Sequence, residues 1–189
     1  MWPLLVIGGG LAALAYANNR QTQVRAPVIT PRERYLAERL QVLSRHAQDL
    51  LGVSAAHRVP LAVYQQGRGV AWAQGRQIFV GLDQLMPHLS AYHHGSECET
   101  AMLLGLVAHE LGHALDPYER SYTNRPAWNH RMELDADHLA GFVLARAGVS
   151  PQCFGSMIFN LSDCCTGSVT HPAGFARVHA IREGFALGS

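Results

Sequence analysis

The stretch Ser96–Leu115, SECETAMLLGLVAHELGHAL, opens with a helix-start signal and runs on as one long apolar segment. Ser96 and Glu99 stand at capping-box spacing, the serine hydroxyl accepting from the Glu99 amide while the glutamate reaches back. Inside the predicted helix lies His109-Glu110-Leu111-Gly112-His113. Residues four apart sit one above the other on a helix, so the two imidazoles point the same way and can share one metal ion. Glu110 is one step off that line. It stands close enough to hydrogen-bond a water at the metal without ligating the metal itself.

A catalytic zinc takes three protein ligands and keeps one position open. The third ligand belongs on a second helix downstream, and Glu133-Leu134-Asp135-Ala136-Asp137 supplies candidates. Glu133 is the expected ligand. Asp137, four residues on, can sit behind a ligating histidine and accept its ring N–H, fixing tautomer and orientation. Asp135 and His138 are the alternatives, projecting from other faces at about 100° per residue.

The motifs together resemble a known family: the membrane-linked gluzincins that include the HtpX-type heat-shock proteases and the CAAX prenyl endopeptidase. Its pattern is H-E-x-x-H, then E-x-x-A-D, then a late T-H-P followed by an arginine. Those elements stand here as His109 to His113, Glu133 to Asp137, and Thr170-His171-Pro172 with Arg177. Ala147-Gly148-Val149-Ser150-Pro151 is similar to the family's A-G-x-x-P. The resemblance spans roughly Gly69 to Glu183 and implies a minimal zincin-like metallopeptidase domain holding one Zn2+ ion. It implies Glu133 as third ligand, Asp137 as a supporting carboxylate, and His171 with Arg177 as stabilisers of the transition state. It also implies that a substrate peptide pairs with an edge strand at Val70, Ala71, Trp72 and Ala73.

Two features depart from the family. Glu133 follows His113 by 20 positions, closer to thermolysin-like spacing than to the large membrane members. Val70 stands where the family's edge strand begins with asparagine.

Outward from these motifs the chain reads as an α+β domain over residues 30–189, a small antiparallel sheet backed by helices. Thr30-Pro31-Arg32-Glu33 is another capping box, followed by an apolar stripe at Leu36, Leu40, Leu43, Ala47 and Leu50. Val59 to Tyr64, Val70 to Ala73 and Gln77 to Val80 read as short strands, the last two joined at Gln74-Gly75. Further helices are predicted from Asn124–Pro126 to Gly148, from Ser150-Pro151 through Leu161, and from Phe175 to Phe185.

Residues 1–17 carry no charged side chain and predict a hydrophobic helix, either a single membrane anchor or a signal segment cleaved near Ala17. Residues 18–29 read as a linker. Fifteen basic side chains against fourteen acidic leave a net charge of +1, which removes any general attraction to nucleic acid. The four cysteines lack C-x-x-C spacing, so one or two disulfides and buried thiols are both open.

The expected function is a zinc-dependent metalloendopeptidase acting on protein or peptide substrates and associated with a membrane through residues 1–17. The alternative is a zinc-stabilised binding or chaperone-like module of the same fold without turnover. The intact Glu110 favours the enzyme, because a structural zinc site has no use for that carboxylate and prefers four protein ligands.

Overall fold

The computed structural model describes residues 29–116 and 125–189. The expected hydrophobic helix over residues 1–17 and nearly all of the expected linker lie outside the described residues. No described helix is long and apolar enough to cross a membrane.

The described residues form an α+β fold of six helices and a three-stranded sheet. Helix α1 (Pro31–Leu50) starts as its sequence predicts. The Thr30 hydroxyl accepts from the Glu33 amide at 3.2 Å, and the Glu33 carboxylate accepts from the Thr30 amide at 2.6 Å. Its apolar stripe is buried at Leu36, Leu40, Leu43 and Ala47.

Strands β1 (Leu61–Tyr64), β2 (Ala71–Gln74) and β3 (Gln77–Gly81) follow. The sheet corrects one expectation: it is mixed rather than antiparallel. β2 and β3 form an antiparallel hairpin, but β1 pairs in parallel with β3, giving the order β1-β3-β2. Residues 65–70 cross the end of β3 to allow this. The Gln65 carbonyl accepts from the Asp83 amide at 3.0 Å, and Asp83 Oδ1 accepts from the Gly67 amide at 2.9 Å. A Cβ on Gly81 would meet the Gly67 Cα at 2.7 Å, so the crossing needs glycine. Leu61, Val63, Ile78 and Val80 bury one face of the sheet; Trp72 stacks on Phe79 at 5.2 Å on the other.

Helix α2 (Leu82–Leu89) was not predicted; Leu82, Leu85 and Leu89 anchor it, and Pro87 sits in its last turn. Helix α3 (Glu97–Ala114) runs through the centre of the molecule and is buried almost continuously from Ala101 to Leu111. It packs against α1, β2 and β3, and against α4 (Pro126–Arg146) and α5 (Gln152–Leu161). Helix α6 (Gly174–Gly188) lies along α4.

Only half of the capping box at Ser96 forms. The serine hydroxyl accepts from the Glu99 amide at 3.2 Å. The buried Glu99 carboxylate instead accepts from Arg32, Tyr35 and the Gly95 amide, fastening α1 to α3. All four cysteines are paired, Cys98 with Cys153 and Cys164 with Cys165. The Cys98–Cys153 bridge ties the first turn of α3 to α5 across 55 residues, a closure that removes about 4 kcal/mol of unfolded-chain entropy.

Candidate metal centre

Helices α3 and α4 cross where Gly112 faces Ala136. A Cβ on Gly112 would stand 2.9 Å from the Ala136 Cα and 3.1 Å from its Cβ, so two small residues set the closeness of the helices. That approach carries the His109–His113 face of α3 against the Glu133–Asp137 face of α4.

Three side chains converge at the crossing. His109 Nε2 and His113 Nε2 are 3.2 Å apart; Glu133 Oε1 is 3.3 Å from His113 Nε2, and Glu133 Oε2 is 3.5 Å from His109 Nε2. Among the described residues this is the one His/Cys/Asp/Glu group whose donor atoms gather closely enough to hold a metal ion. Asp135 and His138 project elsewhere, into the shallow groove between α4 and α6.

The donor set fits a divalent metal on two counts. Donors about 2.0–2.1 Å from a tetrahedral ion stand about 3.3 Å from one another, which is the spacing of these three pairs. The surrounding charge agrees. Glu110, Glu133 and Asp137 are buried carboxylates, and Arg177 is the buried cation that faces them, leaving a formal deficit that a divalent ion neutralises.

Asp137 and Arg177 stand behind this group. His109 Nδ1 lies 2.9 Å from Asp137 Oδ1, so the carboxylate holds the ring with Nε2 turned toward the centre. Arg177 sits deeper than its expected role required. Its Nε donates to Asp137 Oδ2 at 2.7 Å and its Nη2 to Oδ1 at 2.9 Å, while Nη2 lies 3.2 Å from Glu133 Oε2. The guanidinium, 5% exposed, joins the Asp137 carboxylate to that of Glu133.

Electrostatics separate the carboxylates. Burial raises the Glu110 carboxyl pKa above its ordinary value, and the charges of His109 and His113 offset this only in part. Burial also presses Glu133 upward, but the hydrogen bond with His113 and the charges of His109 and Arg177 outweigh it and hold that group well below the usual range. For His109, burial lowers the pKa, yet the Asp137 and Glu133 carboxylates more than reverse the effect. Burial leaves His171 below its ordinary value.

A cleft of about 290 Å³ opens over the centre. His109, Glu110 and Glu133 form its floor, and Leu106, Ile158 and Leu161 give it an apolar wall. Val70 and Ala71 form one lip at β2, which has no strand on its outer side among the described residues. Trp72 stacks with Phe79 and Tyr64, and neither it nor Ala73 lines the cleft. The opposite lip is the loop 162–173, from which His171 Nε2 reaches to 3.8 Å from Glu133 Oε2. Thr170 Oγ1 lies 2.8 Å from His171 Nδ1 on the far side of the ring.

Two neighbours of the site carry no role that the sequence motifs assign. Asn129, fully buried on α4 one turn before Glu133, donates its Nδ2–H to the Val169 carbonyl at 2.8 Å, and His130 Nε2 lies 2.6 Å from the Ser168 carbonyl. The available signal was the position of Asn129, four residues before Glu133 on the same face. No protein-family model, curated protein or solved structure matches this chain.

Proposed function

We propose that this chain is a zinc-dependent metalloendopeptidase of the gluzincin type, cleaving protein or peptide substrates and tethered to a membrane through residues 1–17. One observation carries the reading: two histidines and a glutamate gather at tetrahedral spacing, and His109 and Glu133 of that group lie on the floor of a cleft with the buried carboxylate of Glu110 beside them. Zinc is the metal proposed because two imidazoles and one carboxylate are a recurrent catalytic zinc set. Bound there, zinc supplies Lewis acidity and lowers the pKa of water toward about 7.

The chain's own residues do the rest. Glu110 accepts the proton of the attacking water and later delivers it to the departing amine. Its raised carboxyl pKa suits both halves of that transfer. His171 donates from Nε2 to the charge developing on the peptide carbonyl oxygen. A Thr170 hydroxyl that donates to Nδ1 leaves Nε2 as the ring N–H, and the lowered pKa of His171 keeps the ring neutral. The outer edge of β2 at Val70 and Ala71 takes an extended peptide as an added strand. Arg177 acts behind the ligands, through its bonds to Asp137 and Glu133.

The test is metal content by mass spectrometry joined to cleavage of an unfolded protein with and without chelator. The expected outcome is one zinc per chain, hydrolysis abolished by chelation, and Glu110→Ala retaining zinc while losing at least about 10²–10⁴ in rate. Equal rates in the wild type and Glu110→Ala would remove the mechanism.

A further inference from the structure

The loop 162–173 that carries His171 is exposed along most of its length, yet it presents the ring to within 3.8 Å of Glu133. Within it, residues 168–171 bond to one another. The Ser168 amide donates to the His171 carbonyl at 2.7 Å, and the Ser168 hydroxyl accepts from the amides of Thr170 at 3.3 Å and His171 at 3.0 Å. These bonds make residues 168–171 a closed turn without fixing where that turn sits over the cleft. Two bonds from α4 hold that turn from outside. Asn129 grips the Val169 carbonyl at 2.8 Å, and His130 reaches the neighbouring Ser168 carbonyl at 2.6 Å. Asn129 is 0% exposed, whereas the His171 side chain is 48% exposed, so a buried anchor holds a half-exposed ring. Asn129 also stands one helical turn before Glu133, so one helix sets the position of both the carboxylate ligand and the turn that holds His171.

We infer that Asn129 is a positioning residue for the reaction: through the Val169 carbonyl it holds His171 in register with Glu133. The inference rests on the peptidase reading. It assigns Asn129 no contact with substrate; its effect passes through His171.

The experiment is a double-mutant cycle in the full chain between Asn129→Leu, which keeps size and removes the amide donor, and His171→Ala, with hydrogen exchange as a second readout. Asn129→Leu should lower kcat about ten- to a hundred-fold with KM little changed, below the 10²–10³ typical of removing an oxyanion donor outright. In the His171→Ala background the same substitution should cost less than about two-fold, because nothing is left to position. Exchange at the Ser168 and His171 amides should quicken at least ten-fold in Asn129→Leu, while that of α3 stays as in the wild type. Asn129→His, which restores a ring N–H donor, should recover part of both losses.

Effects that multiply in the double variant, or unchanged exchange across 168–171, would overturn the inference while the peptidase reading stands. A wild type no faster than Glu110→Ala would overturn that reading; the exchange result judges the anchoring by Asn129 without reference to turnover.

Discussion

The two sides of the cleft are built by different means. On the floor, His109 and Glu133 are 5% and 1% exposed, set by the turns of two helices that nearly touch at Gly112 and Ala136. On the lip, His171 hangs from a loop whose position depends on a few hydrogen bonds to α4. A helix fixes spacing by its period, and burial makes displacement costly; a loop fixes spacing only bond by bond. The floor is therefore the stiff half and the lip the adjustable one. Substitutions in the layer behind the floor should be coupled to folding and metal affinity; those that loosen the lip should act on rate alone.

The largest effect is expected at the base of the floor. Asp137→Ala removes the carboxylate behind His109 and leaves Arg177 buried without its two bonds to Asp137. Breaking such a buried pair costs about 3–5 kcal/mol, and losing the group behind a ligating histidine costs about 10–100-fold in metal affinity. Urea unfolding and competition against a metal chelator measure the two effects. Unchanged metal affinity would show that the floor does not depend on its supporting layer.

The second prediction probes the scaffold of that floor, where α1 meets α3. Glu99 is fully buried. Burial pushes its carboxyl pKa up, but the Gly95 amide, the Tyr35 hydroxyl and Arg32 outweigh this and lower it from an ordinary value of 4.5. The sign is fixed by linkage: a carboxyl lowered in the folded state adds stability above its unfolded pKa and loses it as pH falls through the folded value. Chemical denaturation should show stability declining below about pH 4.5 in the wild type. Glu99→Gln should be less stable by about 1–3 kcal/mol at pH 7, with a flatter acid limb. An acid limb of the same slope in both proteins would place the titrating group elsewhere.

The same division governs what the sequence reveals. The floor is legible because its side chains follow helical spacing: His109 with His113, and Glu133 with Asp137, meet as their four-residue separations require. The Thr30 box and the stripe from Leu36 to Ala47 are legible for the same reason. The sheet order is not, because consecutive strands are read as neighbours and the parallel β1–β3 pair depends on the crossing of residues 65–70 over Gly81. Glu99 shows how a local rule yields to a distant partner, since Arg32 and Tyr35 take the carboxylate that would have completed the cap. Arg177 likewise appears in its motif, but its deep pairing with Asp137 and Glu133 depends on how α6 lies along α4. Asn129 carries no motif, and its importance appears only once the loop is folded against it.

The smallest expected effect lies on the lip, and it sharpens the comparison most. Thr170→Val keeps the shape of the side chain but removes the hydroxyl 2.8 Å from His171 Nδ1. The bond lies outside the His109–His113–Glu133 group and in an exposed loop, so neither metal content nor unfolding midpoint should move. A single hydrogen bond of this kind contributes about 0.5–1.5 kcal/mol, and its loss releases the ring to either tautomer and a wider arc. In steady-state kinetics kcat should fall about three- to ten-fold at unchanged KM. A loss comparable to that of Glu110→Ala would show the lip to be as rigidly built as the floor; a variant as fast as the wild type would show that the Thr170 hydroxyl does not orient the ring.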